Sequence, residues 1–392
     1  MVHSNIIVKG AKTNNLKNVD VNIPVNKITV LTGVSGSGKS SLAFETLAAE
    51  SQREINKNYS AYIQQLLPKY AKPDIDTIQN LPFSVVVNQK GISGNARSTV
   101  GTFTEIYTAL RLLFSRKARP FIGYSMAYSF NNPAGMCPKC EGLGYIQEIN
   151  INQLLDKNLS LNQGAIQFST FQPGGWRLTR YTESGFFDNN LPLVKWTSEA
   201  LSLLLYGEEQ IPEAPTIAWH KTAKYLGIIP RLKKSFFNQE NSKYSKELND
   251  VTQKIICPEC YGTRLNEDAR TAQLNHKTIS DCSALPLIAL QRWLAGVNDG
   301  DAQILLVDLN LKINSLITLG LSYLSLDRRT STLSGGEAQR IKLANHLNSA
   351  LSGVLYIFDE PSVGLHPYDL IGINKIFKLL TRKGNTVVVV DH

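Results

Sequence analysis

The chain has 392 residues, with 41 basic against 32 acidic side chains and a formal charge of +9. At 43% apolar and 19% charged it has the makeup of a folded protein, and its length exceeds the roughly 100–200 residues of one ordinary domain. No run approaches the ~18–20 apolar residues of a membrane helix, and residues 1–30 lack the pattern of a signal peptide. A cytoplasmic protein of at least two packed units, with no membrane partner, is therefore expected. The positive balance suits an anionic partner, phosphate or nucleic acid, without choosing between them.

Residues 6–9 and 19–23 read as short strands, the second running into a turn at Pro24. Residues 27–32 read as a buried strand that stops at Gly33, and 40–50 as a helix with Leu42, Phe44 and Leu47 as its apolar positions. Between them, Gly33-Val34-Ser35-Gly36-Ser37-Gly38-Lys39-Ser40 fits G-x-x-x-x-G-K-[ST] at every fixed position. Small residues let such a loop wrap phosphates with its backbone amides, reinforced by the helix N-terminus. Lys39 would reach the β/γ-phosphates and the Ser40 hydroxyl would ligate Mg²⁺. The nucleotide set is completed by Ser41.

Residues 85–87 form another short apolar run, ending at Asn88-Gln89. Residues 102–114 read as an amphipathic helix, with Ile106, Leu110 and Phe114 four apart. From about 119 to 330 the texture changes: Asn, Gln, Gly and aromatic residues dominate, and all four tryptophans fall here. The last sixty residues return to the α/β style, with a glycine-led helix over 332–348 and apolar strands over 354–358 and 386–390. One α/β domain in two parts, 1–118 and 331–392, is thus separated by an insertion spanning 119–330.

Four of the five cysteines form two C-P-x-C pairs, Cys137/Cys140 and Cys257/Cys260, each followed by a glycine-bearing turn. Two such knuckles can supply a closed, tetrahedral, structural zinc site. Two unrelated reduced pairs are the alternative. Since 116 residues separate Cys140 from Cys257, the metal would clamp the base of an inserted subdomain. Cys282 reads as a small buried residue.

The apolar run 355–358 ends in Asp359-Glu360. Beside a phosphate loop, Asp359 would hold the Mg²⁺ shell and Glu360 would orient or deprotonate the attacking water. Ser334, Gly335 and Gly336 offer unobstructed amides at a helix start, a second phosphate-binding geometry. The same residues also read as an ordinary Ser N-cap with Glu337 three positions on.

Phosphate loop, Gln89, residues 333–337, Asp359-Glu360 and His392 together resemble an ABC-type ATPase, in that family's chain order. More particular strings resemble the UvrA family, the damage-sensing subunit of bacterial nucleotide excision repair. They are residues 14–19, 33–44, 97–102, 130–135 with Cys137 and Cys140, 257–265 and 359–366. They span nearly the whole chain and correspond to the first of that family's two cassettes. The resemblance implies an ABC-type P-loop ATPase domain interrupted by a long zinc-containing signature/insertion domain, using ATP, Mg²⁺ and Zn²⁺ on duplex DNA. It makes Gln89 the lid glutamine, His392 the switch histidine on the γ-phosphate, and residues 362–367 the loop crossing between cassettes. The signature of one cassette closes over ATP held by another, in the same natural chain or in a dimer.

The likeness has limits. Where the family carries a UvrB-docking domain, only residues 115–129 fill the gap, so docking on UvrB by the usual surface is not implied. A UvrA-like resistance or tolerance ATPase acting without UvrB is the rival reading. The chain stops at Asp391-His392, directly after its last strand, which is expected of a fragment or split gene product; the family usually has Glu where Asp391 stands. Residues 221–254 carry eight basic and three acidic side chains, with Tyr225, Phe236, Phe237 and Tyr244 interleaved. That mixture reads either as a DNA-backbone contact or as a solvated helical face with core aromatics.

Overall fold

The structure, a computed structural model, describes residues 5–391 apart from 89, 93, 237–243, 298–299, 348–350 and 364–366. Its strands in chain order are β1 (Asn5–Ala11), β2 (Val19–Pro24), β3 (Ile28–Leu31), β4 (Thr77–Gln79), β5 (Ser84–Val87), β6 (Tyr145–Ile149), β7 (Thr252–Ile256), β8 (Gln273–Leu274), β9 (Lys277–Thr278), β10 (Leu355–Asp359) and β11 (Thr386–Val390). The chain forms two compact bodies, Met1–Leu143 with Leu265–His392, and Gly144–Arg264.

The first body is built on a parallel sheet in the order β3-β11-β10-β5, with an antiparallel sheet β2-β1-β4. The two central strands are buried along nearly their whole length, which is why they read as unbroken apolar runs. Their side chains alternate between two cores. Leu355, Ile357, Val388 and Val390 meet the antiparallel sheet and the helix after the phosphate loop, while Tyr356, Phe358, Val387 and Val389 meet a bank of helices. Strand β3, expected to be buried, is an edge strand, with Ile28 and Val30 38% and 53% exposed. Apolar content alone does not separate an edge strand from a central one.

Two further expectations change. The helix read over 102–114 is two helices, Val100–Phe103 and Ile106–Lys117, parted at Glu105, whose φ is 61°. Thr99 and Thr102 close a capping box around the first, and the Thr104 hydroxyl donates to Val100 O, so side chains compete with the backbone ladder there. The inserted body is also shorter than the compositional segment 119–330. Helices Ile279–Ala284, Leu287–Ala295 and Gln303–Thr318 share one apolar core with Ile106–Lys117, Gly335–Leu347 and the central strands. Residues 265–330 therefore belong to the first body despite their composition.

In the second body β6 and β7 pair antiparallel, and an aromatic core gathers Phe168, Phe171, Tyr181 and Tyr225 among leucines and isoleucines. Among the described residues no helix is long and apolar enough to cross a membrane.

Candidate functional site

Strand β3 delivers the chain into the phosphate loop. Gly33, Gly36 and Gly38 have φ of 149°, 78° and 93°, a range costly for other residues. Space is short as well: a Cβ on Gly38 would lie 2.8 Å from Leu16, which comes from the 14–19 string and closes against the loop. Residues 33–37 are exposed, so their backbone is open to a ligand. Lys39 curls over the loop, its Nζ donating to Gly33 O at 2.5 Å and Val34 O at 3.1 Å. Those are the contacts a phosphate would replace. Ser40 is exposed at the helix start, whereas Ser41 is buried, with its carbonyl accepting from the Thr46 hydroxyl at 2.8 Å. The helix begins in π form over Ser41–Ala48 and continues as α over Ala49–Asn56.

Sheet register sets what lies beside that loop. Asp359 at the end of β10 pairs with Val390, and Val390 pairs with Leu31, two residues before Gly33. On the other flank Phe358 pairs with Val87, two residues before Gln89. Phosphate loop, carboxylates and lid segment thus leave one carboxyl edge of a parallel sheet, where such sheets bind ligands. Gln89 and His392 themselves, and Gly364–His366 of the crossing loop, lie outside the described residues. Ser362, also of that loop, donates to Asp391 Oδ1 at 2.7 Å.

Burial, and then the neighbouring Glu360, push the Asp359 carboxyl above its ordinary value. Glu360 has a left-handed φ of 44°, and its amide donates to Val390 O at 2.8 Å, which fixes the turn that separates the two carboxylates.

The signature helix Gly335–Leu347 starts in a complete capping box. The Ser334 amide donates to Glu337 Oε2 at 2.7 Å, and the Glu337 amide to Ser334 Oγ at 3.2 Å. Tyr323 and Arg328 also donate to the Glu337 carboxylate, at 2.7 and 3.2 Å. Burial pushes this carboxyl up, but the Ser334, Tyr323 and Arg328 donors outweigh it and hold it below its usual range. Gly336 has open space where a Cβ would project.

Sequence reasoning missed three residues on this helix. Gln339, nearly buried, donates from Nε2 to Asp359 O at 2.8 Å and to Val87 O at 3.3 Å. Lys342 Nζ donates to Lys90 O at 2.7 Å, to Asn88 Oδ1 at 3.3 Å and to Asn88 O at 3.4 Å. Asn345 reaches Phe103 O at 2.8 Å. Nothing in the sequence sets them apart, since Glu337, Arg340 and His346 are interspersed among them on the same helix.

All four paired cysteines are buried, and their Sγ atoms lie within 4.8 Å of one another. Each pair ends in the same turn, two residues with positive φ, Glu141-Gly142 and Tyr261-Gly262. A tetrahedral ion at about 2.3 Å from each sulfur spaces the sulfurs roughly 3.8 Å apart, so the donor set fits zinc. Cys282 is fully buried, and its thiol is pushed up to about 12 by burial and then by Asp281.

The basic segment 221–254 resolves differently. Tyr225 is fully buried and Tyr244 packs on Phe168, so both serve the core. Lys224 and Lys234 pair with Glu209, and Arg231 donates to the Tyr181 hydroxyl at 3.1 Å. Phe237 and Lys243 lie outside the described residues. The interleaving of basic and aromatic side chains is therefore not a surface pattern at Tyr225 or Tyr244.

A scan against protein-family models finds no match. UvrABC system protein A of Pseudomonas aeruginosa is 29% identical over 551 residues, covering 99% of this chain and 58% of that protein. The protein of the same name from Paucimonas lemoignei is 33% identical over 425 residues, covering 98% and 61%. The crystal structure of UvrA2 from Deinococcus radiodurans superposes with a TM-score of 0.81 at 31% identity, over 99% of this chain and 52% of that one. Over nearly its whole length the chain is similar to UvrA proteins.

It spans about six tenths of the length of the curated UvrA relatives it matches. The alignment with the Pseudomonas protein is longer than this chain, so that UvrA carries residues inside the matched span that are missing here. The short stretch 115–129, expected to stand where the family carries a docking domain, is in keeping with that.

Proposed function

We propose that the chain is an ABC-type ATPase half of a UvrA-like damage sensor, binding Mg-ATP at the carboxyl edge of its parallel sheet and acting on duplex DNA in nucleotide excision repair. The observation that supports this is the sheet register, in which Asp359 pairs with Val390 of β11 and Val390 in turn pairs with Leu31 of β3, the strand that feeds the phosphate loop. Lys39 would turn from Gly33 and Val34 to the β/γ-phosphates, and the amides of Gly33, Ser35, Gly36, Ser37 and Gly38 would line them. Ser40 and Asp359 would hold Mg²⁺, which supplies charge neutralisation of the phosphates when bound. Glu360 would orient the attacking water, with Gln89 and His392 completing the site. Ser41, being buried, would support the loop from beneath.

Ser334, Gly335 and Gly336 would serve the site of a second cassette, in the same natural chain or in a dimer. Cys137, Cys140, Cys257 and Cys260 would hold a structural zinc ion. Docking on UvrB is not part of this reading, because residues 115–129 leave little room for the domain. That short link is also the one feature that speaks for a resistance ATPase working without UvrB. A cytoplasmic location follows from the work on DNA.

Glu360→Gln is expected to retain Mg-ATP binding and to accumulate as a closed two-cassette assembly, measured by size-exclusion chromatography with and without ATP. Hydrolysis at the parental rate by that variant would remove Glu360 from the role given to it.

A further inference from the structure

The second body contains a cavity of about 430 Å³ that none of the roles above employs. One wall is Trp176, a residue 61% exposed although the Arg177 guanidinium lies 4.7 Å from its ring centroid. The backbone that carries the indole is pinned on both sides. The Gly175 amide donates to Gln172 O at 2.7 Å, the Arg177 amide to Thr170 O at 3.1 Å, and the Thr179 hydroxyl to Trp176 O at 2.9 Å. A Cβ on Gly175 would lie 2.7 Å from Thr170 O, so this tight turn needs glycine. A large aromatic ring left in water on a pinned backbone, with a cation on one side, is a stacking platform.

The lining also includes side-chain acceptors, on Asn189 and Glu183. Asn189 donates from Nδ2 to Thr182 O at 2.8 Å, which fixes its amide, while its Oδ1 is buried with no hydrogen-bond partner among the described residues. An amide oxygen in that state is unusual and asks for a donor. Glu183 lines the same cavity and accepts from the Thr216 and Thr182 hydroxyls. A carboxylate and an unmet amide oxygen disfavour an anion and favour N–H groups.

We propose that this cavity binds a planar nitrogen heterocycle bearing an exocyclic amino group, stacked on Trp176 with its N–H groups directed to Asn189 and Glu183. An unpaired adenine, cytosine or guanine turned out of DNA has that chemistry, and so does a free nucleoside. The DNA source rests on the reading of the chain as a DNA-binding protein; the heterocycle chemistry does not. Extrusion is cheapest for a base that is already unpaired, so the site would distinguish distorted from regular duplex.

The test uses the full chain and two fluorescent probes: 2-aminopurine riboside, and a duplex with one unpaired 2-aminopurine set against its fully paired counterpart. The unpaired probe is expected to be quenched and to bind about tenfold more tightly than the paired duplex. Trp176→Ala should abolish that preference while leaving paired-duplex affinity within about twofold, and Trp176→Phe should restore much of it. Adenosine should compete for the riboside about tenfold better than inosine, which lacks the amino group. Response of the duplex probe alone assigns the site to DNA, and response of the riboside alone assigns it to free ligand. Identical behaviour of the parent chain and Trp176→Ala toward both probes overturns the proposal. Failure to bind either duplex at low salt contradicts the DNA reading, and the riboside arm then decides the cavity by itself.

Discussion

Replacing Gln339 with leucine tests whether helix Gly335–Leu347 is physically tied to strand β10. The side chain keeps nearly its volume but loses the donors to Asp359 O and Val87 O, at 2.8 and 3.3 Å. A buried carbonyl left without its donor costs about 1–3 kcal/mol, the shorter bond toward the top of that range and the longer toward the bottom. Better burial of leucine offsets part of the sum, leaving roughly 2 kcal/mol. For a body of this size that corresponds to a fall of roughly 4–8 °C in the midpoint of thermal unfolding. The midpoint is read by circular dichroism, and ATP turnover is measured on the same preparation. Turnover is expected to fall more than nucleotide affinity, because the lost bonds position Asp359 and the lid strand rather than the phosphate loop. A variant melting within about 1 °C of the parent, with unchanged turnover, would show that the tie carries no weight.

Lys342→Met removes the bonds to the Asn88 and Lys90 carbonyls, on either side of Gln89, the proposed lid glutamine. ATP turnover should drop about tenfold, roughly 1.4 kcal/mol, with KM little changed, and Lys342→Arg should recover part of the loss. Cys257→Ser should release one zinc per chain, followed by a colorimetric chelator; a parent protein that holds no zinc when purified would refute the Cys₄ assignment. His346 packs edge-on to Tyr356, and burial holds its imidazole below the ordinary value. The unfolded chain then binds the extra proton more readily. Stability is therefore complete above about pH 6.5 and declines as pH falls below it. His346→Phe should flatten that part of the curve in denaturant titrations at successive pH values.

Much of the nucleotide site is legible because its chemistry is local. The phosphate loop, the strand ending in Asp359-Glu360 and the central strand over Thr386–Val390 each declare themselves within a few residues. The cysteine knuckles do so as well, since positive-φ turns after C-P-x-C leave a glycine in the sequence. What stays hidden depends on tertiary placement. Ile28 and Val30 look like core residues until the strand order puts them at a sheet edge. Tyr225 looks like a surface aromatic among lysines until the second body folds around it. Residues 265–330 look like insertion by composition but bury their leucines in one core with the central strands β10 and β11. Gln339 and Lys342 have no motif of their own, because their partners are backbone carbonyls whose identity a sequence does not encode.

Mg-ATP is proposed to sit between the loop after β3 and the end of β10, on either side of β11. Calorimetric titration of Mg-ATP into the chain, beside Lys39→Ala, tests it most directly. Saturable uptake by the parent and a loss of at least about a hundredfold in affinity for Lys39→Ala, roughly 2.7 kcal/mol, are predicted. Equal binding by the two proteins would contradict the account.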